Sequence, residues 1–125
     1  MTFIVVDNNR ERLGNMTELL FSAFPGSTIY KYVDPMLSAK CALDHTVDAV
    51  FAEACMGRVD GMTLLHVLHC NKPGLPVVIL SDDEQYRQTA MNEGAREYLM
   101  RPFTVQQLQS TMIRQDDTSK QTEKI

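Results

Sequence analysis

The sequence predicts an α/β domain: five parallel strands with helices packed on both faces. Two observations carry this expectation. Short apolar runs, fit for burial on both sides, alternate five times with stretches of helical periodicity. Polar or charged residues then sit directly after four of those runs, at the end of the sheet where an open parallel fold builds its crevice. At 125 residues, 44% hydrophobic and 22% charged, the chain suits one globular domain with a core of its own.

The elements follow in order. "TFIVV" (2–6) is a β-branched and aromatic strand that stops at Asp7-Asn8-Asn9, a cluster suited to turning and capping. Leu13, Met16, Leu20 and Phe24 then recur at helical spacing, with Arg10, Glu11, Arg12, Asn15 and Glu18 between them. Gly14 weakens that helix by about 1 kcal/mol relative to Ala, and Pro25-Gly26 stops it. "STIYKYV" (27–33) is the second strand. Asp34-Pro35 opens the next helix, Asp as N-cap and Pro at the first helical position. "AVFA" (49–52) is strand three, and "GMTLLHVLHC" (61–70) is a helix with Met62, Leu65 and Leu68 on one face. "LPVVIL" (75–80) is strand four, followed by a helix over 81–94 in which Ser81 and Glu84 have capping-box spacing and Gly94 makes the stop. "REYLM" (96–100) is strand five. Thr104 and Gln107 form a second capping box before a last helix running to about Ile113.

Composition narrows the function classes. A net charge of −4 carries no basic footprint for gripping nucleic acid. No apolar run approaches the ~20 residues of a membrane helix, and "MTFIVVDNN" lacks the basic start and cleavage site of a signal peptide. The expected location is therefore cytoplasmic. Three cysteines, Cys41, Cys55 and Cys70, with no C-x-x-C spacing fit reduced thiols. His66, His69 and Cys70 lie at spacings open to a metal, yet they share a helix with Leu65 and Leu68 and fit its outer face better.

The polar residues after the strands form a set with complementary chemistry. Asp7 and Asn8 follow strand one, Glu53 strand three, Ser81 strand four and Arg101-Pro102 strand five. In order and separation this set resembles the receiver domain of two-component response regulators. "IVVDN" stands where that family has its acidic pair, and "VFAEACMGRVDG" where it has its phosphoacceptor strand, with the same seven-residue step to Asp60-Gly61. "PVVILSDD" matches the strand ending in Ser or Thr, and "GAREYLMRPF" the stretch ending in Lys-Pro-Phe. The resemblance spans residues 1 to about 115 and leaves 116–125 as a polar tail or linker stub. It implies a flavodoxin-like, doubly wound sheet of strand order 2-1-3-4-5.

The departures from the family carry the functional expectation. The family's acceptor is Asp, aided by Mg²⁺ on two acids and by a Lys and a hydroxyl that hold the phosphoryl oxygens. Here the acceptor position is Glu53, the second acid is Asn8, the Lys position is Arg101 and a common loop Pro is Gly57; only Asp7 and Ser81 keep their type. The extra methylene of Glu53 moves its carboxylate outward by about 1 Å, an error that costs about 10²-fold in an in-line transfer. It also places negative charge where an acyl phosphate would carry it. Asn8 removes a charge from the Mg²⁺ site, so Asp7, Glu53 and the Cys55 carbonyl are expected to hold that ion weakly at best. The planar, always charged fork of Arg101 suits a carboxylate, and Glu53 or Asp7 is its expected partner. Asp82, beside the hydroxyl position, would hinder an incoming phosphodonor. Tyr98 stands where the family has an aromatic that reports the state of the site.

The expected protein is thus a non-enzymatic pseudo-receiver acting through other proteins, a sensor kinase or effector among them. The resemblance points to the surface of the fourth helix, fifth strand and fifth helix (83–113), with Arg87, Met91, Tyr98 and Gln106. Homodimerisation stays open, and no other cofactor is implied. Two rivals stand beside this reading. One is a phosphoryl-accepting receiver in a phosphorelay. The other is a nucleotide or flavin module, which would want a Gly-rich or hydroxyl-rich loop after strand one, where "DNNRERLGN" offers neither.

Overall fold

A computed structural model describes residues 1–113. The expected tail at 116–125 lies outside the described residues. Five strands, β1 (Thr2–Val6), β2 (Thr28–Tyr32), β3 (Ala49–Glu53), β4 (Val77–Ser81) and β5 (Glu97–Met100), pair in parallel in the order β2-β1-β3-β4-β5. They alternate with helices α1 (Arg10–Ala23), α2 (Pro35–Asp44), α3 (Gly61–Asn71), α4 (Arg87–Asn92) and α5 (Val105–Ser110). Fold and strand order are those the sequence implied.

The period of two along each strand divides the core into two layers. Phe3, Val5, Phe51, Val78, Leu80 and Leu99 pack on one face against α1 and α5, chiefly Leu13, Met16, Leu20 and Leu108. Ile4, Val6, Val50, Ala52 and Ile79 face the other way, onto α2, α3 and α4 through Ala42, Leu64, Leu65, Leu68 and Ala90. The three central strands are buried along almost their whole length. β2 differs from the expectation of strands apolar throughout. It lies at the edge with a single neighbour, and Tyr30 and Lys31 stay exposed.

Local signals were mostly legible. Asn9 caps α1, accepting the Arg12 backbone N–H at 3.0 Å, and Asp34 caps α2 with Pro35 at its first position. Thr104 and Gln107 close a reciprocal capping box on α5. That helix ends at Ser110, with turns continuing to Ile113. Gly94 ends α4 with φ of 100°. The expected helix over 81–94 is shorter: β4 keeps Ser81, a 3₁₀ turn spans Glu84–Tyr86, and α4 proper begins at Arg87. The Ser81/Glu84 box does not form, because Ser81 still belongs to the sheet and pairs with Met100. Asp83 caps that turn instead, its carboxylate accepting the Gln85 N–H at 2.9 Å.

Gly14 lies in the interior of α1 with open space where a Cβ would stand. Gly14→Ala should therefore raise stability by about 1 kcal/mol in urea titration, since it removes backbone entropy without a clash. A loss of stability would mean that this turn of α1 needs glycine for a contact.

Candidate functional site

The site lies at the C-terminal ends of β1, β3, β4 and β5. Order reverses at β1, whose neighbours are β2 and β3, so the crevice forms above these ends. Sheet hydrogen bonds carry the alignment past the strands: Ala54 N–H donates to the Leu80 carbonyl at 2.9 Å, and Arg101 N–H to the Ser81 carbonyl at 2.9 Å. Asp7, Glu53, Ser81 and Arg101 thus reach one rim from four strands.

The Asp60-Gly61 pair helps to fix Glu53. Asp60 caps α3 by accepting the Thr63 N–H at 2.9 Å, and the Gly61 N–H donates to the Ala54 carbonyl at 2.9 Å. A Cβ on Gly61 would fall 2.4 Å from the Glu53 carbonyl oxygen. The start of α3 therefore presses against the backbone that presents Glu53, and only glycine permits that approach.

Two ion pairs fill the rim. Arg101 reaches Glu53 through both terminal nitrogens, Nη2 to Oε2 at 2.7 Å and Nη1 to Oε1 at 3.4 Å. Of its two expected partners, Glu53 is the one it takes. The Glu53 side chain is 5% exposed, and that of Arg101 23%. Burial pushes the Glu53 carboxyl above its ordinary pKa, and the Arg101 hydrogen bonds and charge pull it back only in part. Asp82 adds a looser contact to Arg101 at 3.6 Å from an exposed position. The second pair is one the sequence reasoning missed: Arg12 clamps Asp7, Nε to Oδ2 at 2.8 Å and Nη2 to Oδ1 at 2.9 Å. By spacing alone, Arg12 is a polar residue between the core positions of its helix. Its place in the first turn of a helix that begins just beyond Asp7 was the signal that could have found it.

The remaining expected residues fall in different places. Asn8 is exposed and sits beside the Gly57 turn. Ser81 is buried and turned to its own chain: its Oγ accepts the Asp83 N–H at 2.9 Å and donates to the Asp83 carbonyl at 3.1 Å. Tyr98 is buried, its hydroxyl donating to the same Asp83 carbonyl. Arg87 lies over the Tyr98 ring, 5.0 Å from its centroid, and binds Glu84 through two nitrogens. Tyr98 therefore lies beneath the expected docking surface, whereas Met91 and Gln106 are exposed on it. His66 pairs with Glu93 at 2.9 Å and stays solvent-facing, as does Cys70.

A divalent cation does not fit this arrangement as it stands. Both oxygens of Asp7 and both of Glu53 face guanidinium nitrogens. Among the described residues no cluster of three or more His, Cys, Asp or Glu side chains is placed to hold a metal. No helix among them is long and apolar enough to cross a membrane.

A doubly wound parallel sheet of this order, with acids at the ends of its central strands, is an architecture shared by several classes of protein. Comparison with known proteins selects among them. The family model described as "Response regulator receiver domain" matches residues 3–113, and the chain belongs to that family. It is similar to the response regulator MprA of Mycobacterium sp. (strain KMS), 26% identical over 111 residues, covering 87% of this chain and 47% of that protein. The chain thus spans about half the length of its MprA relatives. Among solved structures, a response regulator receiver domain from Clostridium thermocellum superposes with a TM-score of 0.80 at 23% identity, covering 99% of this chain and 98% of that one. The receiver domain of the sensor histidine kinase PA1611 from Pseudomonas aeruginosa PAO1, with a magnesium ion coordinated in its active site cleft, gives 0.78 at 19%, covering 89% and 93%.

The Arg101–Glu53 pair yields a pH-resolved prediction. Arg101→Ala should lose about 2 kcal/mol at neutral pH, less than for a fully buried pair because Arg101 keeps some contact with water. Most of that loss should return in the Glu53→Gln/Arg101→Ala double variant. Glu53 has a folded pKa above its unfolded one, so in the wild type its contribution to stability falls as pH rises from the unfolded value through the folded value. Glu53→Gln should therefore gain on the wild type as pH rises through that window, measured by chemical denaturation. An unchanged Arg101→Ala protein would show that the pair holds nothing together.

Proposed function

We propose that this domain signals without phosphorylation, by binding other proteins in a conformation already fixed by its own side chains. The observation that supports this most is the Arg101–Glu53 contact at 2.7 Å. The acceptor position carries a carboxyl group of its own, and the cation that would otherwise hold phosphoryl oxygens is already engaged by it. Transfer to Glu53 would require breaking that pair and placing a longer side chain in line, a placement error of the kind that costs about 10²-fold in rate.

Family membership supports protein partners, with a sensor kinase and an effector as the expected kinds. The surface proposed for them is that of α4, β5 and α5, where Met91 is 43% exposed. Tyr98 would act from below by fixing the Asp83 turn, which the Arg87 clamp also steadies. Homodimerisation through the same surface is compatible with this reading, and no catalytic activity is proposed for the domain. A cytoplasmic location accords with partners of this kind.

Intact-mass measurement after incubation with acetyl phosphate and Mg²⁺, beside Glu53→Asp, tests the proposal. The native protein should gain no phosphoryl group. A gain on Glu53→Asp alone would show that the extra methylene is what silences the site, and silence in both would place the block in Asn8, Arg101 and Asp82, or in the Arg12 clamp on Asp7, as well. One phosphoryl group on the native protein would overturn the proposal and make the chain a phosphorelay member.

A further inference from the structure

We propose that Arg12 is a built-in replacement for a divalent cation, supplying from α1 the positive charge that the buried carboxylates of Asp7 and Glu53 need. The inference rests on the reading of the site as closed by its own side chains, and adds the reason it can stay closed without metal. Asp7 is 3% exposed, which is costly for an ionised carboxylate without a counter-charge. Arg12 answers both oxygens through its fork, at 2.8 and 2.9 Å, and the Asn9 N–H gives Oδ1 a further bond at 2.9 Å. Donors thus hold two positions on Oδ1 and one on Oδ2, most of the roughly four acceptor sites a carboxylate offers.

Charge reinforces the geometry. Asp7 and Glu53 end neighbouring strands and repel each other, and Arg12 lies in the field of both and of Asp82. Two guanidiniums already balance the two buried carboxylates, so a doubly charged ion would find no unpaired buried carboxylate to compensate it. Mg²⁺ would also have to approach the Asp7 oxygens at about 2.0–2.1 Å, displacing the Arg12 fork. The helix holds that fork in place: Arg12 belongs to the first turn of α1, its backbone N–H bound by the Asn9 cap.

Thermal melts and calorimetric titration with MgCl2, on the full chain and on Arg12→Gln, test this with no phosphodonor present. Their outcome is therefore independent of whether Glu53 can be phosphorylated. The wild type should melt at the same temperature in chelator and in millimolar Mg²⁺. Arg12→Gln should melt lower in chelator, recover on adding Mg²⁺, and bind the ion at least about tenfold more tightly than the wild type. Should Arg12→Gln fail to fold in chelator, refolding on addition of Mg²⁺ is the same positive result. Asp7→Asn/Arg12→Gln, which removes the charge and its counter-charge together, should fold without the ion and ignore it. The proposal is overturned if the wild type binds Mg²⁺ as tightly as Arg12→Gln, if that variant gains nothing from the ion, or if the double variant still responds.

Discussion

Asp7 directly follows β1 and Glu53 ends the adjacent parallel strand β3, and both are almost out of reach of water. Much else in the upper half of the domain follows from that constraint. A parallel sheet covered on both faces leaves its strand ends as the natural place for polar groups, but acids put there repel one another and lose hydration. Some positive charge must be supplied close by. In this chain it comes from two arginines on different elements, Arg12 from α1 and Arg101 from the end of β5. These pairs tie the first helix and the last strand to the centre of the sheet. Their net contribution to stability is modest, because desolvation offsets most of the attraction, whereas loss of one partner would leave a buried charge exposed to that full cost.

The turn after β4 shows the same economy on a smaller scale. Ser81, placed by the sheet next to Arg101, bonds to the backbone of Asp83. Tyr98 reaches up to that residue from β5, while Arg87 covers its ring. Hydroxyl, aromatic and turn are thus coupled through one residue. A partner that moved the turn would act on Tyr98, and the ring lies directly beneath the surface proposed for docking. Such a partner would need different affinities for two arrangements of the turn to switch anything.

The fold was legible because its signals are local and redundant. Alternating apolar runs, Asp34-Pro35 and the Thr104/Gln107 box each point to the same elements that form. The exceptions are instructive. Ser81 and Glu84 had the spacing of a cap, yet sheet pairing with β5 outweighed a local preference worth about 1 kcal/mol. The expectation of strands apolar throughout comes from local pattern, whereas the order 2-1-3-4-5 already puts β2 at the edge, where Tyr30 and Lys31 can stay exposed. At the site, a carboxylate partner for Arg101, Glu53 or Asp7, could be expected because strand ends in a parallel sheet converge, and the structure selects Glu53. Arg12 could not, since its role depends on a long side chain curling back from a helix, and sequence spacing alone does not distinguish that from solvent exposure.

The central claim is that the acidic crevice is complete within the chain, each buried carboxylate carrying its own guanidinium. A crystal structure grown at high magnesium with beryllofluoride, a phosphoryl mimic, tests this most directly. The account predicts Arg12 on Asp7 and Arg101 on Glu53 with no ion between the two acids. A metal bound between Asp7 and Glu53, with either arginine turned to solvent, would contradict it.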